Sequence, residues 1–75
     1  MNKKTQFFDF AATLFTHSAP LPEDDFRSHD EWSSLLLLDL VAGIEDYFGI
    51  VLSVSEVAGC HSFAEVFRLI ESKQA

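Results

Sequence analysis

The stretch Ser33-Ser34-Leu35-Leu36-Leu37-Leu38-Asp39-Leu40-Val41-Ala42-Gly43-Ile44-Glu45-Asp46-Tyr47-Phe48-Gly49 constrains this chain more than any other segment. Leu37, Leu40, Val41, Ile44 and Phe48 recur at helical spacing and form a continuous core stripe. Leu35, Leu36 and Leu38 fall wholly or partly outside that stripe, so a helix over 33–48 is apolar nearly all round at its start. Such a helix is either deeply buried or exposes a binding surface. Deep burial of every side is hard in 75 residues, because a domain of that size removes only about 60% of its unfolded surface from water. Either Ser33 or Ser34 can cap the helix start, and Gly49 ends it.

The other segments complete a helical plan. Phe7, Phe10, Ala11 and Leu14 share one face of a helix over 3–16, with Phe8, Ala12 and Phe15 beside them and Asn2 or Thr5 as its cap. Pro20 and Pro22 cannot continue it. Residues 17–32 then read as a long loop that Phe26 anchors to the core, with Glu23 to Asp25 solvated. Ile50-Val51-Leu52 reads as an extended connector. Ser53-Val54-Ser55-Glu56 is a capping-box pattern that opens a short helix over 54–58, stopped by Gly59. A second box, Ser62-Phe63-Ala64-Glu65, opens a last helix over 63–72 with Phe63, Val66, Phe67 and Ile70 inward and a frayed tail over 72–75. The expected fold is one all-α domain over 1–75, a helical bundle with a long first loop and a short third helix, in which most of the eight phenylalanines share one core.

Charge narrows the functions. The formal net charge is −7, which argues against nucleic acid, since phosphate binding needs a basic patch. Glu23, Asp24, Asp25, Asp30, Glu31, Asp39, Glu45 and Asp46 crowd the middle of the chain. They are a solvated surface that keeps a small protein soluble, or a docking face for basic partner proteins. No secretory signal is visible and no apolar run approaches the ~20 residues needed to span a bilayer, so a cytoplasmic, monomeric protein is expected.

Few residues offer chemistry. Ser34 has His29 nearby in sequence, but a hydrolase also needs an enclosed pocket, and His29 reads as an exposed loop residue. Cys60 and His61 are adjacent without any metal-ligand spacing, and Cys60 reads as a small buried hydrophobe at a helix boundary. No catalytic or metal-binding residue is expected. A primary hydroxyl in the first turn of a helix, where free amides and the dipole favour phosphate, suits a serine esterified through a phosphodiester as well as it suits a cap.

With these residues in view, the chain resembles the acyl carrier proteins of the phosphopantetheine-attachment family. Ser33-Ser34-Leu35 occupies the place of the family's Asp-Ser-Leu motif, and Trp32 before it is similar to a stand-alone subgroup. Asp39-Leu40-Val41 and Ile44-Glu45-Asp46-Tyr47-Phe48-Gly49-Ile50 resemble the acidic and apolar stretch that follows the motif. Phe26 falls where the family has its loop phenylalanine, and the likeness runs over residues 5–71. Two departures stand out: Ser33 replaces the motif's aspartate, and Asp30-Glu31 replace a usual Leu-Gly.

The resemblance implies a four-helix bundle that is not an enzyme. It implies a 4′-phosphopantetheine arm on Ser34, made from coenzyme A, whose thiol holds an acyl or aminoacyl group as a thioester. Leu35, Asp39, Glu45 and Asp46 match positions that face partners. Those partners would be a phosphopantetheinyl transferase, an acyl-loading ligase or transferase, and condensing or transfer enzymes with basic docking patches. The alternative is an unmodified adaptor of the same fold that binds a partner through the start of its second helix.

Overall fold

A computed structural model describes residues 2–74, which form four helices: α1 (Lys3–Thr13), α2 (Ser34–Phe48), α3 (Val54–Ala58) and α4 (Phe63–Gln74). Among the described residues there is no strand, and the architecture is the expected all-α bundle. Asn2 is the cap of α1, its Oδ1 accepting from the Thr5 amide at 2.8 Å. Ser53 and Glu56 form the full reciprocal box at α3: Ser53 Oγ accepts from the Glu56 amide at 3.1 Å, and the Glu56 carboxylate accepts from the Ser53 amide at 2.9 Å. Gly49 closes α2 in the left-handed region at φ 68°, a conformation that side chains with a Cβ avoid.

Phe7 is the hub of the core. It is fully buried and lies within 5.6–6.3 Å, ring centre to ring centre, of Phe8 on its own helix, Phe48 on α2, and Phe63 and Phe67 on α4. Of the expected α2 stripe, Leu40 and Ile44 are fully buried, while Leu37, Val41 and Phe48 are half-buried against the same cluster. Phe10 and Leu14 of the α1 stripe are likewise only half-buried, and Phe15 is buried instead. The connector between α2 and α3 alternates: Ile50 and Leu52 turn inward while Val51 is exposed. Cys60 is buried at the end of α3, and loss of hydration pushes its thiol pKa up.

Two boundaries and one cap differ from expectation. α1 ends at Thr13 rather than near residue 16, because the Leu14 and Phe15 amides tighten onto the Ala11 and Ala12 carbonyls at 3.2 Å each. The next amides, of Thr16 and His17, go to the Glu31 carboxylate instead of to helix carbonyls. α4 continues through Ser72 and Lys73 to Gln74 instead of fraying, because Lys73 Nζ reaches Glu56 of α3 at 2.8 Å and pins the last turn; Ala75 lies outside the described residues. At the start of α4, Ser62 Oγ accepts from the Glu65 amide at 3.3 Å, but the Glu65 carboxylate reaches one residue further back, to the His61 amide at 2.7 Å. The second box is therefore a shifted one.

The first loop is not structureless. Phe26–Ser28 form a 3-10 turn capped by Asp25. Phe26 is fully buried as expected, with its ring 4.7 Å from Phe63 and 4.4 Å from Trp32. Two backbone bonds tie the loop to the turn before α4, from the Phe26 amide to the His61 carbonyl at 3.0 Å and from the Ala64 amide to the Pro22 carbonyl at 2.9 Å. The second of these satisfies an amide that the start of α4 would leave without a helical partner.

Candidate functional site

The two serines at the start of α2 are placed differently. Ser33 has extended backbone, φ −155° and ψ 172°, and its Oγ accepts from the Leu36 amide at 3.4 Å. Its carbonyl accepts from the Leu37 amide at 3.0 Å. Ser33 is thus the cap, and Ser34 is the first helical residue. Ser34 is exposed, and among the described residues no hydrogen bond engages its hydroxyl. The amides of Ser34 and Leu35 likewise have no acceptor among the described residues, so two free donors lie at the same helix start as the unengaged hydroxyl. A phosphodiester on Ser34 fits this chemistry, because helix-start amides and the positive dipole end stabilise phosphate oxygens.

The face beside Ser34 is apolar, then acidic. Leu35 is 66% exposed and Leu38 is 52% exposed, whereas Leu36 tucks partly against the core. Asp39, Glu45 and Asp46 are exposed on the same helix, and none of them forms an ion pair among the described residues. At 100° per residue, Leu35, Leu38, Asp39, Ala42 and Asp46 share one side of α2, with Glu45 at its margin. All four positions read from sequence as partner-facing, Leu35, Asp39, Glu45 and Asp46, are therefore solvent-accessible.

The segment just upstream of Ser34 is held by side chains that sequence reading left solvated. Glu31 accepts at Oε1 from the Thr16 amide at 3.0 Å and the Thr16 hydroxyl at 2.5 Å, and at Oε2 from the His17 amide at 3.1 Å. The Thr16 hydroxyl above all, with the two amides, holds the Glu31 carboxyl at about 2, well below its ordinary 4.5. His29 is half-buried rather than exposed. Its ring meets Phe15 edge-on at 4.7 Å, Nε2 lies 2.6 Å from the Ser18 carbonyl, and Nδ1 accepts from the Glu31 amide at 3.0 Å. These partners assign the proton of a neutral ring to Nε2. With both nitrogens bonded within the loop, His29 offers Ser34 no general base. Neither residue could be found from sequence pattern, since the contacts of Glu31 lie 14 and 15 residues away.

Among the described residues no group of three or more His, Cys, Asp or Glu side chains could hold a metal ion, and no helix is long and apolar enough to cross a membrane. Comparison with curated proteins and with solved structures gave no significant match. Residues 9–70 match the family model described as the phosphopantetheine attachment site, whose members bind 4′-phosphopantetheine covalently. Ser34 and the whole clasped loop lie inside the matched span.

Proposed function

Because the chain belongs to the phosphopantetheine-attachment family, we propose that it is a carrier whose prosthetic arm is joined to Ser34 by a phosphodiester. The observation that carries this reading is the exposed Ser34 hydroxyl, unengaged at the first turn of α2 while Ser33 takes the cap. The arm supplies a terminal thiol on which acyl or aminoacyl cargo rides as a thioester. The chain's own part is to fix the attachment point, keep it accessible and present it to enzymes. Leu35 supplies apolar contact beside the arm, and Asp39, Glu45 and Asp46 supply negative charge for basic docking patches on a transferase, a loading enzyme or a condensing enzyme. The domain performs presentation in the cytoplasm, and the chemistry belongs to its partners.

Incubation with a broad-specificity phosphopantetheinyl transferase and coenzyme A tests this directly. Intact-mass spectrometry is expected to show one phosphopantetheinyl group on the wild-type chain and none on Ser34→Ala. A wild-type chain that keeps its unmodified mass under several transferases overturns the reading. The exposed pair Leu35 and Leu38 favours one second reading, an unmodified adaptor. That reading requires partner binding that survives Ser34→Ala and fails on Leu35→Asp.

A further inference from the structure

The cap of α2 is weak for its position. The Ser33 contact to the Leu36 amide is 3.4 Å long, and the residue that would return a carboxylate in a reciprocal box is Leu36 itself. α3, only five residues long, has the full box at 2.9 and 3.1 Å. The order at the start of α2 must come from elsewhere, and the loop supplies it in an unbroken chain of bonds. Glu31 grips Thr16 and His17, in the segment just after α1. His29 grips the Ser18 carbonyl with one nitrogen and the Glu31 amide with the other. The Trp32 amide donates to the His29 carbonyl at 3.0 Å, and the Trp32 ring packs on the buried Phe26. Two residues later comes Ser34.

We infer that Glu31 and His29 are positioning residues for the loading of Ser34, a clasp that ties the segment before α2 to the segment just after α1 and so presents the serine in one conformation. The inference rests on the reading of Ser34 as the attachment serine. Neither Glu31 nor His29 bonds to Ser34; they act through Trp32 and the backbone. Without the clasp only a fraction of chains presents Ser34 correctly, and an affinity limited by a competent fraction falls by that fraction. The signature is a raised KM with kcat retained.

The test is steady-state transfer from coenzyme A onto the full chain by a broad-specificity transferase, with amide hydrogen exchange measured on the same proteins. Glu31→Ala and His29→Ala are expected to raise KM about tenfold with kcat within about twofold, as a competent fraction of about one tenth requires. Exchange should rise over residues 14–33 and at the Ala64 amide, which the loop's Pro22 carbonyl holds, and stay unchanged in the rest of α4. Glu31→Gln keeps an acceptor for Thr16 but turns an NH2 donor toward the His17 amide, so it should recover part of the loss, and Ser33→Ala should raise KM less than Glu31→Ala does. If Glu31→Ala fails to fold, Glu31→Gln and Thr16→Val grade the same contact more gently. An unchanged KM in variants whose loop has loosened overturns the inference alone. So does a kcat loss with unchanged KM, a loss that tracks exchange rising across the whole chain, or a larger effect from Ser33→Ala. A wild-type chain that is never loaded overturns the reading of Ser34 first, and this inference with it.

Discussion

Leu38 and Leu40 stand two residues apart on α2 and meet opposite fates. Leu40 is fully buried between helices, while Leu38 is 52% exposed beside Leu35 at 66%. The same residue type thus serves the core on one face and leaves an uncovered apolar surface on the other. Single exposed leucines are ordinary. What sets this face apart is that its apolar part lies next to the unengaged Ser34 hydroxyl and its acids carry no ion partners among the described residues. Stability is built on one side of the helix, and the proposed recognition face is the other.

The sharpest way to break that division is a matched pair of truncations. Leu40→Ala leaves a cavity in a closed core and is expected to cost about 2–5 kcal/mol in denaturant unfolding. Leu38→Ala is expected to stay within about 0.5 kcal/mol of wild type, as an exposed site without special contacts should. Equal losses in the two variants would mean that the outer face is also structural.

A smaller effect probes how tightly the inner face is fitted. A methyl group on Gly43 would sit 2.0 Å from Phe10 Cζ, so α1 or the Phe10 ring must move. Overpacking of that kind costs about 1–3 kcal/mol, while exchanging a mid-helix glycine for alanine returns up to about 1 kcal/mol. Gly43→Ala should therefore destabilise by about 1–2 kcal/mol net in the same unfolding assay. A stabilised variant would show that the two helices are loosely seated.

The smallest expected effect concerns acid. The residues buried on the inner face of α2, Leu40, Gly43 and Ile44, do not titrate, so acid sensitivity must come from the supports outside it. Glu31 and Glu56 are both held at about 2 against an ordinary 4.5, Glu31 chiefly by the Thr16 hydroxyl and Glu56 chiefly by Lys73. A carboxyl whose pKa is lower in the folded than in the unfolded chain stabilises fully above the unfolded value, and loses that contribution as pH falls through the folded one. Melting temperature should therefore decline between about pH 4.5 and 2, and less steeply in a Glu31→Gln, Glu56→Gln double variant. Parallel declines in both proteins would place the acid sensitivity elsewhere.

Much of this was legible in the chain. The Ser53–Glu56 box, the stop at Gly49 and the short helix over 54–58 follow from local patterns that settle their own geometry, and Phe26 was legible as the one large apolar residue in a polar loop before Trp32. The errors share a cause. The early end of α1, the grip of Glu31 and the half-burial of His29 depend on one loop end meeting the other. The extension of α4 depends on Lys73 meeting Glu56. The close seat of Phe10 over Gly43 depends on how two helices approach. Periodicity carries no information about such pairs.

The sequence by itself determined an acidic helical chain with an apolar second helix, a serine pair at that helix's start and the likeness to a carrier family. Those features rest on composition and short-range spacing, which act before any long-range contact forms. The likeness already gave the cap to Ser33 and the arm to Ser34, a local matter of three residues; only the tertiary structure decided which leucines face water and what holds the segment before Ser34 in place. The physical reason is that a hydroxyl, a leucine or a carboxylate takes its role from what lies opposite it in space, and here that is often a residue many positions away.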